Sequence, residues 1–484
     1  MRLEGLKKLS DVSWELSTAY KPGMKVPVRI FASEKLLNNM EKEVFEQISN
    51  VACLPGIIEY AFCLPDGHTG YGFPIGGTAA FDPRTGIISP GGIGFDINCG
   101  MRLMRTSLTA EEVRPRLEKL VDTLFARIPT GVGTGGICSV TRDEFYDLLE
   151  QGMQWCLKKG YAVVRDLERT EEHGCMAGAK AGSVSRKAVE RGYKQVGSLG
   201  SGNHYLEIQV VTPENIHDKK AAEVMGLTVP NQVVVMVHCG SRGFGHQVAQ
   251  DSIYKFLQAM QQKYHSNIRD RQLACVPFDS PEGQEYFSAM KCAVNMAFVN
   301  RQMIMSRVRE VFCDIFKRHE SELGLEQIYD VTHNTAKLET HTVKGKPREL
   351  LLHRKGATRA FGPGMSDIPA EFAGIGQPVI IGGSMETGSY LLTGTKEGGK
   401  TFFTTAHGSG RVMGRHQAKK QFDGRELAAG MKKKGIYIRC ASYAGLAEEA
   451  GAAYKNIDQV VKAAEDAGLS RRVAKLVPLG NIKG

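Results

Sequence analysis

Val233-Val234-Val235-Met236-Val237-His238-Cys239-Gly240-Ser241-Arg242 is the stretch that decides how this chain folds. Its apolar run has no alternation of apolar and polar residues, so it predicts a strand buried on both faces, as in a sheet covered by helices. The run stops abruptly at a histidine. Polar residues delivered at the end of a rigid buried strand are a common way to build a site. A second run, Pro378-Val379-Ile380-Ile381, ends in the same manner on Gly382-Gly383-Ser384.

Helices are signalled where glycine is sparse. Thr109 with Glu112, and Thr141 with Glu144, have capping-box spacing and open amphipathic segments expected over 109–128 and 141–159. Ser280 followed by Pro281 opens the longest helical pattern, about 281–319, as one helix or two packed on or inserted in the rest. A further helix is expected over 458–467, stopped by Gly468. Pro65-Asp66-Gly67-His68-Thr69-Gly70-Tyr71-Gly72-Phe73-Pro74-Ile75-Gly76-Gly77 reads as a folded loop. The fold class is therefore mixed α and β, a core β-sheet system flanked by helices and carrying a deep cleft.

The 484 residues, 42% hydrophobic and 24% charged, have the composition of an ordinary globular protein. No run of about eighteen apolar residues occurs. The start, Met1-Arg2-Leu3-Glu4-Gly5-Leu6-Lys7-Lys8, lacks the apolar core of a secretory signal, so the expected location is cytoplasmic, with no membrane partner. Eleven cysteines without a CxxC pair fit reduced thiols. Cys156, Cys292 and Cys313 lie among apolar helical residues and Cys440 ends the strand-like Ile436-Tyr437-Ile438-Arg439, whereas Cys99 is crowded by Asp96 and Asn98. A net charge of +10 favours an anionic, phosphate-rich partner. Basic clusters recur at Arg186-Lys187, His353-Arg354-Lys355, Arg415-His416 with Lys419-Lys420, Lys432-Lys433-Lys434 and Arg471-Arg472.

A thiolate at Cys99, a carboxylate at Asp96 and imidazoles at His204, His238 and His333 are too many ligands for one tetrahedral ion with an open position. Two ions sharing the thiolate is the simplest arrangement, and paired metals suit phosphoryl chemistry. His407, in His407-Gly408-Ser409-Gly410-Arg411, is a spare imidazole competent to attack phosphorus. The glycines leave backbone N–H groups to approach phosphate oxygens, with Arg411 as a bidentate partner.

These phrases, in order and over nearly the whole chain, resemble the RtcB family of tRNA-splicing RNA ligases. The matching runs are Pro65 to Phe73, Pro90-Gly91-Gly92-Ile93-Gly94-Phe95-Asp96-Ile97-Asn98-Cys99-Gly100, Gly200-Ser201-Gly202-Asn203-His204, His238 to Gly243, His333-Asn334, His353 to Arg359, His407 to Arg411 and the ending Ile482-Lys483-Gly484. The resemblance implies one ligase domain over 1–484 and a GTP- and manganese-dependent joining of RNA 2′,3′-cyclic phosphate or 3′-phosphate ends to 5′-hydroxyl ends. It also implies that His407 becomes guanylylated, then transfers GMP to the RNA 3′-phosphate. Asp96, Cys99 and His204 would hold one Mn2+, and Cys99, His238 and His333 a second, although zinc should bind such ligands more tightly and fail to support ligation.

For the nucleotide, the resemblance points to Asn203, His204, Tyr205, Leu206, Glu207, His333, Asn334, Gly382, Gly383, Ser384, Met385, Ser389, Gly408, Ser409, Gly410, Arg411 and Lys483, with Tyr454 beside them. Glu207 can accept from guanine N1–H and its 2-amino group, a donor pair adenine lacks. The implied partners are RNA, as tRNA halves or other cleaved ends, and an archease-type activator. Ser409 stands where the family commonly has alanine, Tyr205 where it often has phenylalanine, and Glu386 where glycine is frequent. Two other classes suit the same residues: a two-metal phosphohydrolase of cyclic phosphate ends, for which His407 would be dispensable, and a non-catalytic RNA-binding protein with a structural metal site.

Overall fold

The protein, seen in a computed structural model, is described over residues 5–265 and 270–484; residues 1–4 of the amino-terminal stretch lie outside the described residues. The valine run becomes the strand Gln232–Cys239, buried at every position. It pairs antiparallel with Gly100–Thr109 and Tyr205–Val211 inside an eight-stranded sheet. Glu326–Thr332 lies beyond the first neighbour, and Ser470–Lys483, Ser389–Gly394 and Pro378–Ile381 follow beyond the second. Tyr437–Cys440 branches off in parallel from Ser470–Lys483.

Strand alternation sorts the side chains of this sheet. Val233, Val235 and Val237, with Leu206, Ile208 and Val210, pack in one cluster with residues of the helices Leu117–Arg127 and Pro281–Phe316. Val234 and Met236, with Met101, Leu103 and Tyr205, belong to a second cluster on the other face. The same parity carries Tyr205, Glu207 and His238 to that other face, where all three line one cavity.

A seven-stranded sheet runs in the order Leu6–Ser10, Ser13–Leu16, Val28–Phe31, Ile57–His68, Ile75–Phe81, Lys346–Lys355, Asn334–Val343. Glu326–Thr332 ends in one sheet and Asn334–Val343 begins in the other, so His333 sits at the junction between them. Asp66 arrives at the same junction on Ile57–His68. The expected loop from Pro65 is thus strand as far as His68, with an irregular register between Cys63 and His68.

Both capping boxes form, but neither helix runs its expected length. Pro115, which has no N–H to donate, interrupts the first, giving Ala110–Val113, a 3-10 turn at Arg114–Arg116, and Leu117–Arg127. Gly152, at φ 54°, divides the second into Arg142–Gln151 and Met153–Lys158. The longest pattern is one helix of 36 residues, Pro281–Phe316, capped by the Ser280 side chain. It ends before residue 319 because Lys317 takes the left-handed conformation, φ 55°. Every residue from 292 to 305 is buried, so this is a core helix enclosed on all sides. The last expected helix appears as Ile457–Asp466, capped by Asn456. Among the described residues no two cysteines form a disulfide. Among the described residues no helix is long and apolar enough to cross a membrane.

Candidate active site

The loop before Gly100–Thr109 is fixed from three sides. Asn98 adopts φ 56° and donates through Nδ2 to the Val294 carbonyl of the long helix at 2.9 Å. Asn334 donates through Nδ2 to the Asp96 carbonyl at 3.0 Å, and its own carbonyl accepts from Asn98 N–H at 2.8 Å. Gly240 lets the next strand end come close, since a Cβ there would lie 2.3 Å from Asp96 Oδ1. Beneath the loop, Arg301 donates to the carbonyls of Asn98 and Cys239 at 2.8 and 2.9 Å while buried against Asp330.

Five side chains converge above this support. Cys99 Sγ lies 3.3 Å from His204 Nε2 and 3.2 Å from His238 Nε2, His238 Nε2 lies 3.2 Å from His333 Nε2, and His204 Nε2 lies 2.7 Å from Asp96 Oδ2. Two groups, Asp96/Cys99/His204 and Cys99/His238/His333, each have their ligand atoms within 4.8 Å of one another, and Cys99 belongs to both. His238 Nδ1 faces the Asn203 carbonyl at 3.0 Å, which places the proton there and leaves the Nε2 lone pair for the cluster. Burial, then neighbouring positive charge, holds His238 and His333 well below the usual imidazole value. Burial, with Asp96 adding to it, pushes the Cys99 thiol up to about 12. His204 is instead raised well above the usual imidazole value, burial being outweighed by Cys239 and Asp96 beside it. Neutral imidazoles at His238 and His333, a carboxylate, and a thiol and a His204 ring that a bound cation would deprotonate form a donor set fit for two transition-metal ions.

His407 stands against this cluster, its ring centroid 4.7 Å from that of His333. Its Nδ1 lies 2.6 Å from Asp66 Oδ2, and the same oxygen accepts from the backbone N–H of His407 at 3.1 Å and of Gly408 at 3.3 Å. Burial alone would raise the Asp66 carboxyl, but these bonds from His407, with Lys455 nearby, hold it below the usual carboxylate value. Nε2 is left as the ring nitrogen available for chemistry. Gly410, at φ 74°, wraps the turn so closely that a Cβ there would lie 2.1 Å from the Asp66 carbonyl oxygen.

The turn differs from its expected role in one respect. The N–H groups of His407 and Gly408 bind Asp66 and that of Ser409 binds the Gly382 carbonyl, so they orient the histidine instead of reaching toward phosphate. Arg411 is similarly engaged, with the carbonyls of Met413 and Glu448 and with Glu449 and Tyr454.

A cavity of about 480 Å³ opens beside His407. Gly382, Gly383, Ser384 and Met385 form one wall, Gly408, Ser409, Gly410 and Arg411 another, and Asn203, Tyr205, Glu207, Tyr454 and Lys483 are among the residues of the remainder. Lys483 is held in the strand Ser470–Lys483 between Tyr205 and Cys440, and its side chain is 3% exposed. Burial raises Glu207 to about 7 against the hydrogen bonds of Gln209 and Asn481. Leu206, by strand parity, packs in the apolar cluster on the opposite face. The Asn334 amide is committed to Asp96 and to Gly356 N–H, and Ser389 Oγ accepts from Gly383 N–H at 3.2 Å. The Ser409 hydroxyl donates to Gly382, and Glu386 turns toward Lys434, 3.5 Å away.

A profile of the family described as tRNA-splicing ligase RtcB matches residues 47–484. The chain belongs to the RtcB family. It is 49% identical over 486 residues to tRNA-splicing ligase RtcB of Archaeoglobus fulgidus, covering 100% of both chains. It is 47% identical to the protein so named from Methanococcus maripaludis and 48% identical to that from Thermococcus kodakarensis, over 99% of each chain in both pairs.

Three residues of this RtcB site carried little signal of their own in the sequence. Asp66 looked like a turn residue in a glycine-rich run; Pro-Asp-Gly-His ahead of an apolar strand was its only mark. Lys455, buried, donates to the carbonyls of Pro65 and Gly67 and so pins the bend that carries Asp66. Glu449 is buried among Arg411, Arg415, Lys483 and Tyr454; burial opposes its ionisation, but these cations hold it down at about 2.

Proposed function

We propose that this chain is a GTP- and manganese-dependent RNA ligase, joining 2′,3′-cyclic phosphate or 3′-phosphate ends to 5′-hydroxyl ends in tRNA splicing or RNA repair. The observation that carries the reading is His407, clasped by a buried carboxylate and in ring contact with a five-ligand cluster. Two Mn2+ ions held by Asp96, Cys99 and His204 and by Cys99, His238 and His333 would supply positive charge for the phosphate oxygens. Zinc suits the same donors and should bind more tightly while failing to support ligation.

Within this reading Asp66 holds the proton on His407 Nδ1 and keeps Nε2 as the nucleophile. Nε2 attacks the α-phosphorus of GTP and pyrophosphate leaves. The imidazole gains positive charge as the bond forms, and the Asp66 carboxylate balances it. Glu207 accepts from guanine N1–H and the 2-amino group, selecting GTP over ATP. Where the end is a 2′,3′-cyclic phosphate, water first breaks its P–O2′ bond to leave a 3′-phosphate and a 2′-hydroxyl. An oxygen of the RNA 3′-phosphate then takes the GMP from His407, and the 5′-hydroxyl displaces GMP, so that the RNA's own phosphate becomes the junction. Tyr205, Ser384, Met385 and Lys483 shape the nucleotide cavity, and an archease-type protein would serve as activator.

The test is incubation with α-phosphate-labelled GTP and Mn2+. An acid-labile label on the native chain, lost in His407→Ala, is the expected result. A metal-loaded native chain that takes no label would overturn the reading, and hydrolysis of cyclic phosphate ends undiminished in His407→Ala would point to a phosphohydrolase.

A further inference from the structure

Residues 411–443 hold nine lysines and arginines against two acids, Asp423 and Glu426, and so carry most of the chain's net charge of +10. The segment leaves the cavity wall at Arg411 and Arg415 and continues as the helices Arg415–Gln421 and Gly424–Lys433 and the strand Tyr437–Cys440. Ala418 is the buried residue of the first helix, while Lys419 and Lys420 are exposed. Among the described residues Lys420 and Arg425 enter no ion pair within 4.0 Å, while Lys419 pairs at the surface with Glu448 at 2.6 Å. The Arg425 guanidinium lies 4.8 Å from the ring centroid of Tyr443, an aromatic side chain 46% exposed.

This face lies at the cavity rim. Ala441 N–H donates to the carbonyl of Lys483, a cavity residue, at 2.9 Å. A Cβ on Gly445 would lie 3.3 Å from the Gly484 carbonyl oxygen. Two other basic clusters are already satisfied: Arg471 and Arg472 are paired with Asp218 and Glu465, and His353, Arg354 and Lys355 are buried. Arg186 and Lys187 are exposed but lie on the helix Arg186–Gly192, which contributes nothing to the cavity.

Surface cations beside an exposed ring, two of them unpaired and the third held by a single surface carboxylate, suit one class of polymer. Single-stranded nucleic acid offers a phosphate to each cation and an unpaired base to the ring, whereas a duplex keeps its bases stacked inside. We infer that Lys419, Lys420, Arg425 and Tyr443 form the track for the single-stranded arm of an RNA whose end enters the cavity. The inference rests on the ligase reading for the identity of that end.

The experiment measures binding of a fluorescent 12-nucleotide single-stranded RNA, and of its duplex, against salt for the native chain, K419A/K420A/R425A and Tyr443→Ala, with labelled-GTP guanylylation in parallel. Losing three phosphate contacts should weaken single-strand binding about 50-fold at 0.15 M salt and reduce the log–log salt slope by about 2, at roughly 0.7 per contact. Tyr443→Ala should cost about tenfold on the single strand, little on the duplex, and leave the salt slope unchanged. Guanylylation should be unaltered in both variants, and the charge-keeping K419R/K420R should bind RNA as the native chain does. Native affinity and slope in the triple variant would overturn the track, as would equal losses on single strand and duplex in Tyr443→Ala. A native chain that binds RNA through this face but takes no guanylate would overturn the ligase reading and leave the track standing.

Discussion

His238 and His407 share one cavity wall and differ in what holds the far side of the ring. The Nδ1 of His238 faces a backbone carbonyl, that of Asn203, at 3.0 Å, and the Nδ1 of His407 faces the Asp66 carboxylate at 2.6 Å. A carbonyl fixes a tautomer but brings no full charge, so a buried ring stays neutral and serves as a metal donor. A buried carboxylate also stabilises the ring once it has gained positive charge, the condition of a nucleophile in mid-reaction. The partner of Nδ1 thus sorts like side chains into ligand and nucleophile. Asp66 and Glu207 make the companion contrast: both are buried carboxylates, but only Asp66 has an imidazole partner, and only Glu207 is raised, to about 7.

The largest effect should come from removing that charge without changing shape. Asp66→Asn should slow guanylylation by about 10³- to 10⁴-fold, the scale seen when a triad aspartate loses its charge, with bound metal unchanged by elemental analysis. A loss below tenfold would erase the distinction between the two histidines. Cys99→Ser should do the reverse, weakening metal binding by at least about 100-fold, more than outer-sphere changes do, because Cys99 belongs to both ligand groups. Equilibrium dialysis against Mn2+ checks this, and native affinity would remove Cys99 as the bridge.

Glu207 should give a smaller, graded effect. Guanine needs its ionised form, so GTP binding should tighten about tenfold from pH 6 to pH 8 as Glu207 titrates near 7, and Glu207→Gln should flatten that profile in calorimetry. For the unliganded fold the sign is opposite. Burial favours the protonated carboxyl, so its contribution to stability is full below the ordinary value of 4.5 and is lost as pH rises through about 7. Glu386→Gly should matter least: Glu386 points to Lys434, a partner 61% exposed, so guanylylation should stay within about twofold, as for most surface ion pairs.

Much of this was legible in the chain itself. The valine run announced a central strand and the histidine at its end, and the glycine-containing phrases that hold His204 and Cys99 announced convergence. What stayed hidden depended on tertiary pairing. Asp66 acquires its meaning only when His407, more than three hundred positions away, folds against it. Glu449 follows an alanine-rich helix and becomes a cation anchor only when Arg411, Arg415 and Lys483 surround it. Local signals set helix starts well, through Thr109, Thr141 and Ser280, and helix ends less well, because Pro115, Gly152 and Lys317 act through backbone geometry that side-chain periodicity does not report. Lys483, at a position that usually frays, is instead a fully paired strand residue.

The most direct measurement is phosphorus and nitrogen NMR of the guanylylated chain with labelled histidine, which identifies the ring nitrogen bonded to phosphorus. The account predicts a phosphoramidate at Nε2 of His407, with Nδ1 protonated against Asp66. A guanylate on Nδ1, or on another residue, would contradict it.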